Sequence, residues 1–277
     1  MSAAPAEVQV LTVGSCSHVR DEHRGHVVVS GSCGGNYNAY NAARHQVRAV
    51  IMSDAGGGKD DAGIRGLAYL DRIGLAAATA DAMTCHIGDG ADILAHGVIS
   101  HVNQAAASLG CSPGQSVRDC AERLRSAQPA HAAPPPISDG NRVTVRDIPG
   151  EPKVVCADSV GMIKPEDSGQ IVVTASHAAL FPRPTDNEIA PVYAVFFSDA
   201  GGGKDGAGFA RLADLDRRQI AAATVSADSA PIGDARAIYA DGIISHVNAM
   251  AARAGAQVGT KLKDFIAQLI AQAKDRD

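Results

Sequence analysis

Short β-branched runs alternate along the chain with stretches of helical spacing. In the second half Lys153–Cys156 and Gln170–Thr174 are such runs, and Pro191–Ser198 (PVYAVFFS) is a third. Runs of this length and composition predict buried strands. Gly206–Arg218 changes period, since Phe209, Leu212 and Leu215 recur every third residue, and this predicts a helix. Ile220–Val225 predicts another strand, and Ala235–Ala254 and Thr260–Lys274 predict helices. In the last of these, Leu262, Phe265, Ile266, Leu269 and Ile270 form one apolar stripe. The first half repeats the order, except that Asn38–Gln46 has helical character where Phe181–Ile189 contains two prolines. Strands alternating with helices predict an α/β fold, each half a mostly parallel sheet with flanking helices.

The repetition extends to the residues themselves. Residues 53–103 align without gaps on residues 198–248, and more than half of the aligned positions are identical. SDAGGGKDDAG meets SDAGGGKDGAG, and GVISHVN meets GIISHVN. With a one-residue shift, HVVVSGSCGG lies opposite QIVVTASHAA upstream. The chain therefore reads as an internally duplicated unit: a first repeat over residues 1–127, a Pro-rich linker over 128–150 and a second repeat over 151–277. The triple proline Pro134–Pro136 marks the linker as an extended, semi-rigid spacer. By analogy with symmetric homodimers, the halves are expected to pack as a pseudo-two-fold dimer.

Composition narrows the function. Aromatics are 4% of the residues, Trp is absent and the net charge is −5, so neither a basic stripe nor a stacking platform for nucleic acid is expected. No apolar stretch is long enough for a membrane span. The N-terminus lacks a basic region followed by an apolar one, so a cytoplasmic location is expected. Six irregularly spaced cysteines without a Cys-x-x-Cys suggest free thiols rather than disulfides or a zinc site. His18, His23 and His26 cluster without a metal-binding helix pattern, so no metal is expected.

Three sets of loop residues remain as candidate chemistry. In Ser53–Asp60 and Ser198–Asp205, the glycines Gly56, Gly57 and Gly58, and Gly201, Gly202 and Gly203, leave a strand and approach a helix. Backbone N–H groups there can converge on an anion. Lys59 and Lys204 would add a full charge, with Asp54 or Asp199 orienting them; a tight turn is the alternative. The sequence is neither a P-loop nor, in the first copy, a dinucleotide fingerprint, so no organic cofactor is expected. After the preceding strand, Ser32 and Ser176 are retained, whereas Cys33 lies opposite His177. The other cysteines lie opposite mostly apolar or small residues and read as inert. Finally, His101 and His246 recur within Ser-His-Val-Asn and, on helical spacing, point into packing or serve as a base or binding group. Asp89 and Asp234 are helix caps or active-site carboxylates.

No known family's motifs match these residues closely enough to carry roles over. The expected function is a cofactor-independent enzyme on a small anionic or cyclic molecule, a hydrolase of an amide, lactam or ester. Ser32, Cys33, Lys59, His177 and Lys204 would do the nucleophilic or acid–base work, and the glycine loops, Ser176, His101 and His246 would bind substrate. The alternatives are an isomerase, racemase or lyase moving a proton next to a carboxylate, and a non-catalytic small-ligand binding protein. The amphipathic C-terminal helix leaves homo-oligomer formation open.

Overall fold

The structure, a computed structural model, describes residues 7–274. Its first sheet has five strands, β1 (Val10–Val13), β2 (Val27–Cys33), β3 (Ala49–Ser53), β4 (Ala76–Ala80) and β5 (Ile99–Val102), paired in that order. The first four are parallel and β5 is antiparallel to β4. The second sheet runs in the order β11-β10-β9-β8-β7-β6. It comprises β6 (Arg142–Arg146), β7 (Val154–Ala157), β8 (Ile171–His177), β9 (Ala194–Ser198), β10 (Ala221–Val225) and β11 (Ile244–Val247). Here β7 to β10 are parallel and the two edge strands are antiparallel. The fold is thus α/β with two mixed, mostly parallel sheets.

Strands covered on both faces have no polar side to show, which is why the central ones read as continuous apolar runs. In the first sheet Val28, Val50 and Met52 pack under α1 (Asn36–Arg44) and α2 (Gly66–Asp71). Val27, Val29 and Ile51 meet the other layer, α3 (Gly90–His96), α4 (Gln104–Ala107) and α5 (Val117–Leu124). In the second sheet Val172, Val195 and Phe197 pack with Leu212 and Leu215 of α6 (Arg211–Arg217). Phe196 and Val173 face α7 (Ala235–Asp241), α8 (Ala249–Arg253) and α9 (Leu262–Lys274). The apolar stripe of α9 is spent inside the chain: Phe265 meets Phe196 edge-on at 5.9 Å, and Leu262, Ile266, Leu269 and Ile270 are buried beside it. Each such side chain contributes roughly 1.5–3 kcal/mol.

Two sequence expectations change. The predicted helix Ala235–Ala254 is three elements, α7, β11 and α8, and its counterpart in the first half likewise contains β5, so His101 and His246 lie on edge strands. A side chain at Gly242 would overlap the Ile238 carbonyl, and the β-branched Ile244 then pairs with Val225 of β10. Asn248 restarts the helix: its Oδ1 accepts the Ala251 N–H at 2.9 Å and the Ala222 N–H at 3.0 Å. Asn103 does the same at Ala106 and Ala77. One amide thus caps a helix and braces a strand, which accounts for an asparagine at both aligned positions. The second change is that the Pro-rich segment is not wholly linker. Its end forms β6, and earlier it is laced to the first sheet's helices by the Tyr69 hydroxyl donating to the Pro135 carbonyl at 2.6 Å.

Candidate functional site

A cavity of about 250 Å³ lined by reactive side chains lies at the carboxyl ends of β1, β2, β7 and β8. Parallel α/β sheets place ligands at such strand ends. From the first sheet it is lined by Ser15, Ser17, Ser32, Cys33 and Asn38; from the second, by Asp158, Ser159, Ser176, His177 and Phe181. Residues 138–141 close one side. There the Gly140 and Asn141 amides donate to Asp158 Oδ2 at 3.1 and 2.7 Å, with Gly140 against the Tyr37 ring. Charge at the walls is mixed: Arg65 and Arg236 stand with Asp139, Asp158, Asp186 and Asp234. No excess of positive charge selects an anion.

Cys33 ends β2, immediately before the amino terminus of α1. Its Sγ receives the Asn38 side-chain amide at 3.3 Å, and the Gly35 N–H also approaches it. Both donors favour the thiolate, but burial outweighs them and holds the thiol above its ordinary pKa. The same Asn38 amide donates to the Cys33 carbonyl at 2.9 Å, which fixes the strand end against the helix.

His177 ends β8 at the aligned position. The Ala179 N–H donates to its Nδ1 at 3.2 Å, so the proton of the neutral ring resides on Nε2. Burial, with the nearby Arg211 guanidinium, depresses its pKa to about 3. Phe181 packs edge-on against the ring at 5.8 Å. At neutral pH His177 is a hydrogen-bond donor, not a base.

Ser32 and Ser176 also reach the cavity, but each already has a bracing bond. Ser32 Oγ accepts the Cys16 N–H at 2.9 Å and Ser176 Oγ accepts the Val160 N–H at 2.9 Å. Each serine ties the turn after the preceding strand to its own strand. Ser15 Oγ lies 3.3 Å from Ser32 Oγ and 2.9 Å from Ser17 Oγ, which makes a chain of hydroxyls without an adjoining base.

The glycine loops lie elsewhere. None of Gly56, Gly57, Gly58, Lys59, Gly201, Gly202, Gly203 and Lys204 lines this cavity, nor do Asp54, Asp199, His101 or His246. The two loops meet each other. A Cβ on Gly56 would stand 3.1 Å from the Gly201 Cα, and one on Gly201 would stand 3.0 Å from the Gly56 Cα. Both residues have φ of 72°, which a larger side chain adopts only with strain. The Lys59 N–H donates to the Ala227 carbonyl at 2.8 Å, and the Lys204 N–H donates to Ala82 at 2.8 Å. Lys59 Nζ is drawn to the Ser229 carbonyl at 3.3 Å. Asp54 Oδ1 accepts from Gly56 and Ala82, and Asp199 Oδ1 accepts from Gly201 and Ala227, so both carboxylates brace their own loops. Around these contacts Ala55, Ala62 and Ile87 pack with Ala200, Ala207 and Ile232.

The remaining candidates divide in the same way. Asp89 caps α3 through Ala91 and Asp92, and Asp234 caps α7 through Ala237. His246 stacks on Phe209 at 3.8 Å and lies 3.3 Å from the Thr224 hydroxyl, whereas His101 is exposed on β5. Among the described residues no group of three or more His, Cys, Asp or Glu is disposed to hold a metal. Among them, too, no helix is long and apolar enough to cross a membrane.

Sequence reasoning missed Asn38, the 138–141 strap and Arg211. Asn38 has no counterpart because no α-helix follows β8. Arg211 stands opposite Gly66, but Ile64 and Arg65 also differ from Phe209 and Ala210, so nothing in the alignment singles it out. Comparison of the chain with protein-family models, with curated proteins and with solved structures finds no match.

Proposed function

We propose that the cavity is the active site of a cofactor-independent enzyme that hydrolyses a small polar amide, lactam or ester, with Cys33 as nucleophile. The observation that carries this reading is that Cys33 and His177, aligned positions that hold two different reactive side chains, line the same cavity. In this scheme Cys33 Sγ attacks the carbonyl carbon as its proton passes to the leaving nitrogen or oxygen. A thioester forms, and water then cleaves it to a carboxylic acid and the free thiol. His177, neutral and protonated on Nε2, is suited to polarise the carbonyl rather than accept the thiol proton. The unpaired N–H groups at the start of α1 add partial positive charge beside the thiol.

Lys59 and Lys204 have no part in this reaction, and the glycine loops are read as architecture. The same reading takes the chain as one duplicated unit packed about an approximate two-fold axis. The reciprocal bonds from Lys59 to Ala227 and from Lys204 to Ala82 support it. The test is a panel of small esters, lactams and cyclic imides, with intact-mass detection of an acyl adduct on the native chain. Turnover with an adduct absent from Cys33→Ser supports the proposal; full turnover by Cys33→Ser overturns it.

One observation favours a second reading. Proton carriers on both sides of the cavity, Cys33 on one and His177 on the other, suit proton transfer at carbon, as in an isomerase. Solvent deuterium entering the recovered substrate, without hydrolysis, would select it.

A further inference from the structure

Among the described residues Arg211 is the largest fully buried side chain, at 0% exposure. Its surroundings explain how a guanidinium comes to be there. In the first sheet the turn after β2 is covered by α1. The aligned residue, Gly66, has no room for a side chain, because a Cβ would stand 2.6 Å from the Gly34 carbonyl oxygen and 2.8 Å from Ala39 Cβ. In the second sheet the prolines at 182 and 184 leave no helix after β8, only a loop with a single 3-10 turn at Pro184–Asn187. The Arg211 side chain supports that loop. Its main-chain N–H donates to the Ala178 carbonyl at 2.8 Å, the counterpart of the Gly66 bond to Gly34. Its Nε donates to the Ala179 carbonyl at 3.2 Å and its Nη2 to Asn187 Oδ1 at 3.2 Å. The guanidinium lies over Phe181 and Phe197, 5.2 and 5.8 Å from the ring centroids.

These contacts converge on His177. Ala179, held through its carbonyl by Arg211, is the residue whose N–H occupies His177 Nδ1. Phe181, stacked under the guanidinium and fixed at both backbone ends by Asn187, is the ring that meets the imidazole edge-on. Among the described residues Arg211 Nη1 has no hydrogen-bond partner. A buried cation so incompletely paired costs stability that a simple apolar plug would not.

We propose that Arg211 is a positioning residue of the site: it orients the 178–181 loop so that the Ala179 N–H caps Nδ1 and the Nε2–H tautomer of His177 is the one presented for reaction. The inference rests on the assignment of His177 to the reaction only in its last clause, and the experiment separates the two. Histidine labelled with nitrogen-15 reports, through its ring-nitrogen shifts, which nitrogen of His177 carries the proton. In the native chain Nε2 should be the protonated nitrogen. In Arg211→Met the ring should populate both tautomers, and kcat/KM should fall on the order of 10²-fold with KM little changed. Arg211→Lys, which can restore a donor to Ala179, should recover part of the loss and most of the native tautomer.

A native ring protonated on Nδ1, or an Arg211→Met chain that keeps the pure Nε2–H tautomer, overturns the proposal. Where Arg211→Met does not fold, Arg211→Lys carries the test, and an Arg211→Lys chain with the native tautomer and the full native kcat/KM overturns the proposal. Should the tautomer respond as expected while His177→Gln keeps full turnover, the fault lies in the assignment of His177 to the reaction and not in the positioning.

Discussion

The turns after β2 and β8 occupy aligned positions and are built in different ways. After β2, Gly34-Gly35 leads straight into α1, and Asn38, one turn along, reaches back to the Cys33 carbonyl and thiol. After β8, prolines exclude the helix and a buried Arg211 supports an irregular loop that fixes an imidazole. The glycine loops after β3 and β9 present the opposite case. They are nearly identical in sequence, and they meet each other across the two sheets. A loop that meets its aligned partner is constrained from both sides at once, which fits the near identity of these two segments. At the cavity the aligned residues include both the identical Ser32 and Ser176 and the different Cys33 and His177.

The comparison breaks most visibly at Cys33. Replacing it with Ala should abolish turnover, by on the order of 10³-fold or more, while Lys59→Met and Lys204→Met keep most of it. The reverse pattern would return the chemistry to the glycine loops. The measurement is steady-state hydrolysis of whichever panel compound the native chain accepts, with melting temperature as the check on folding.

The two strand ends should also weaken at opposite ends of the pH scale. His177 stays neutral in the folded chain down to about pH 3 but takes a proton near 6.5 when unfolded. Its contribution is therefore complete above pH 6.5 and is lost as pH falls through that window, by on the order of 3 kcal/mol at pH 4. Cys33 has its pKa raised by burial, so its share is present below pH 9 and is lost as pH rises above it. Urea titrations across pH, on native chain, His177→Gln and Cys33→Ser, read each share as a difference. An acid limb unchanged in His177→Gln would contradict the neutral imidazole.

A smaller effect tests the glycine contact. Gly56→Val and Gly201→Val each place a β-branched residue at positive φ against the opposing main chain, and each should cost about 2–3 kcal/mol. Because both disturb one contact, the double variant should cost less than the two together. Additive losses in denaturant titrations would mean that the loops are strained independently of each other.

Much of this is legible from the chain itself. Runs such as Val27–Val29 and Ile171–Val173 can be read because a strand buried on both faces has only apolar residues to offer, and the α9 stripe because a helix packed on one side must segregate its faces. The edge strands are harder. In Ile243–Val247 only five residues separate a glycine from an asparagine cap, and an apolar spacing that short fits either period. The Lys59 loop misleads for another reason. Glycines and a lysine leaving a strand look the same whether their N–H groups meet an anion or the Ala227 carbonyl, and only the tertiary contact separates the two. The exchange of Cys33 for His177 points toward the cavity, but nothing local reveals that Arg211 stands behind it.

The smallest effect bears on the two serines at aligned positions, Ser32 and Ser176. If Ser32 were the nucleophile, its loss would be catalytic and that of Ser176 would not, so the pair would behave asymmetrically. Their bonds argue for symmetry: each hydroxyl accepts one main-chain N–H, Cys16 in one sheet and Val160 in the other, both at 2.9 Å. Removing either acceptor leaves an amide without its partner and should cost about 1–2 kcal/mol. Ser32→Ala and Ser176→Ala are therefore expected to lose similar stability, by urea titration, and to keep kcat within about tenfold of native. A thousandfold loss confined to Ser32→Ala would make the hydroxyl, not the neighbouring thiol, the reacting group.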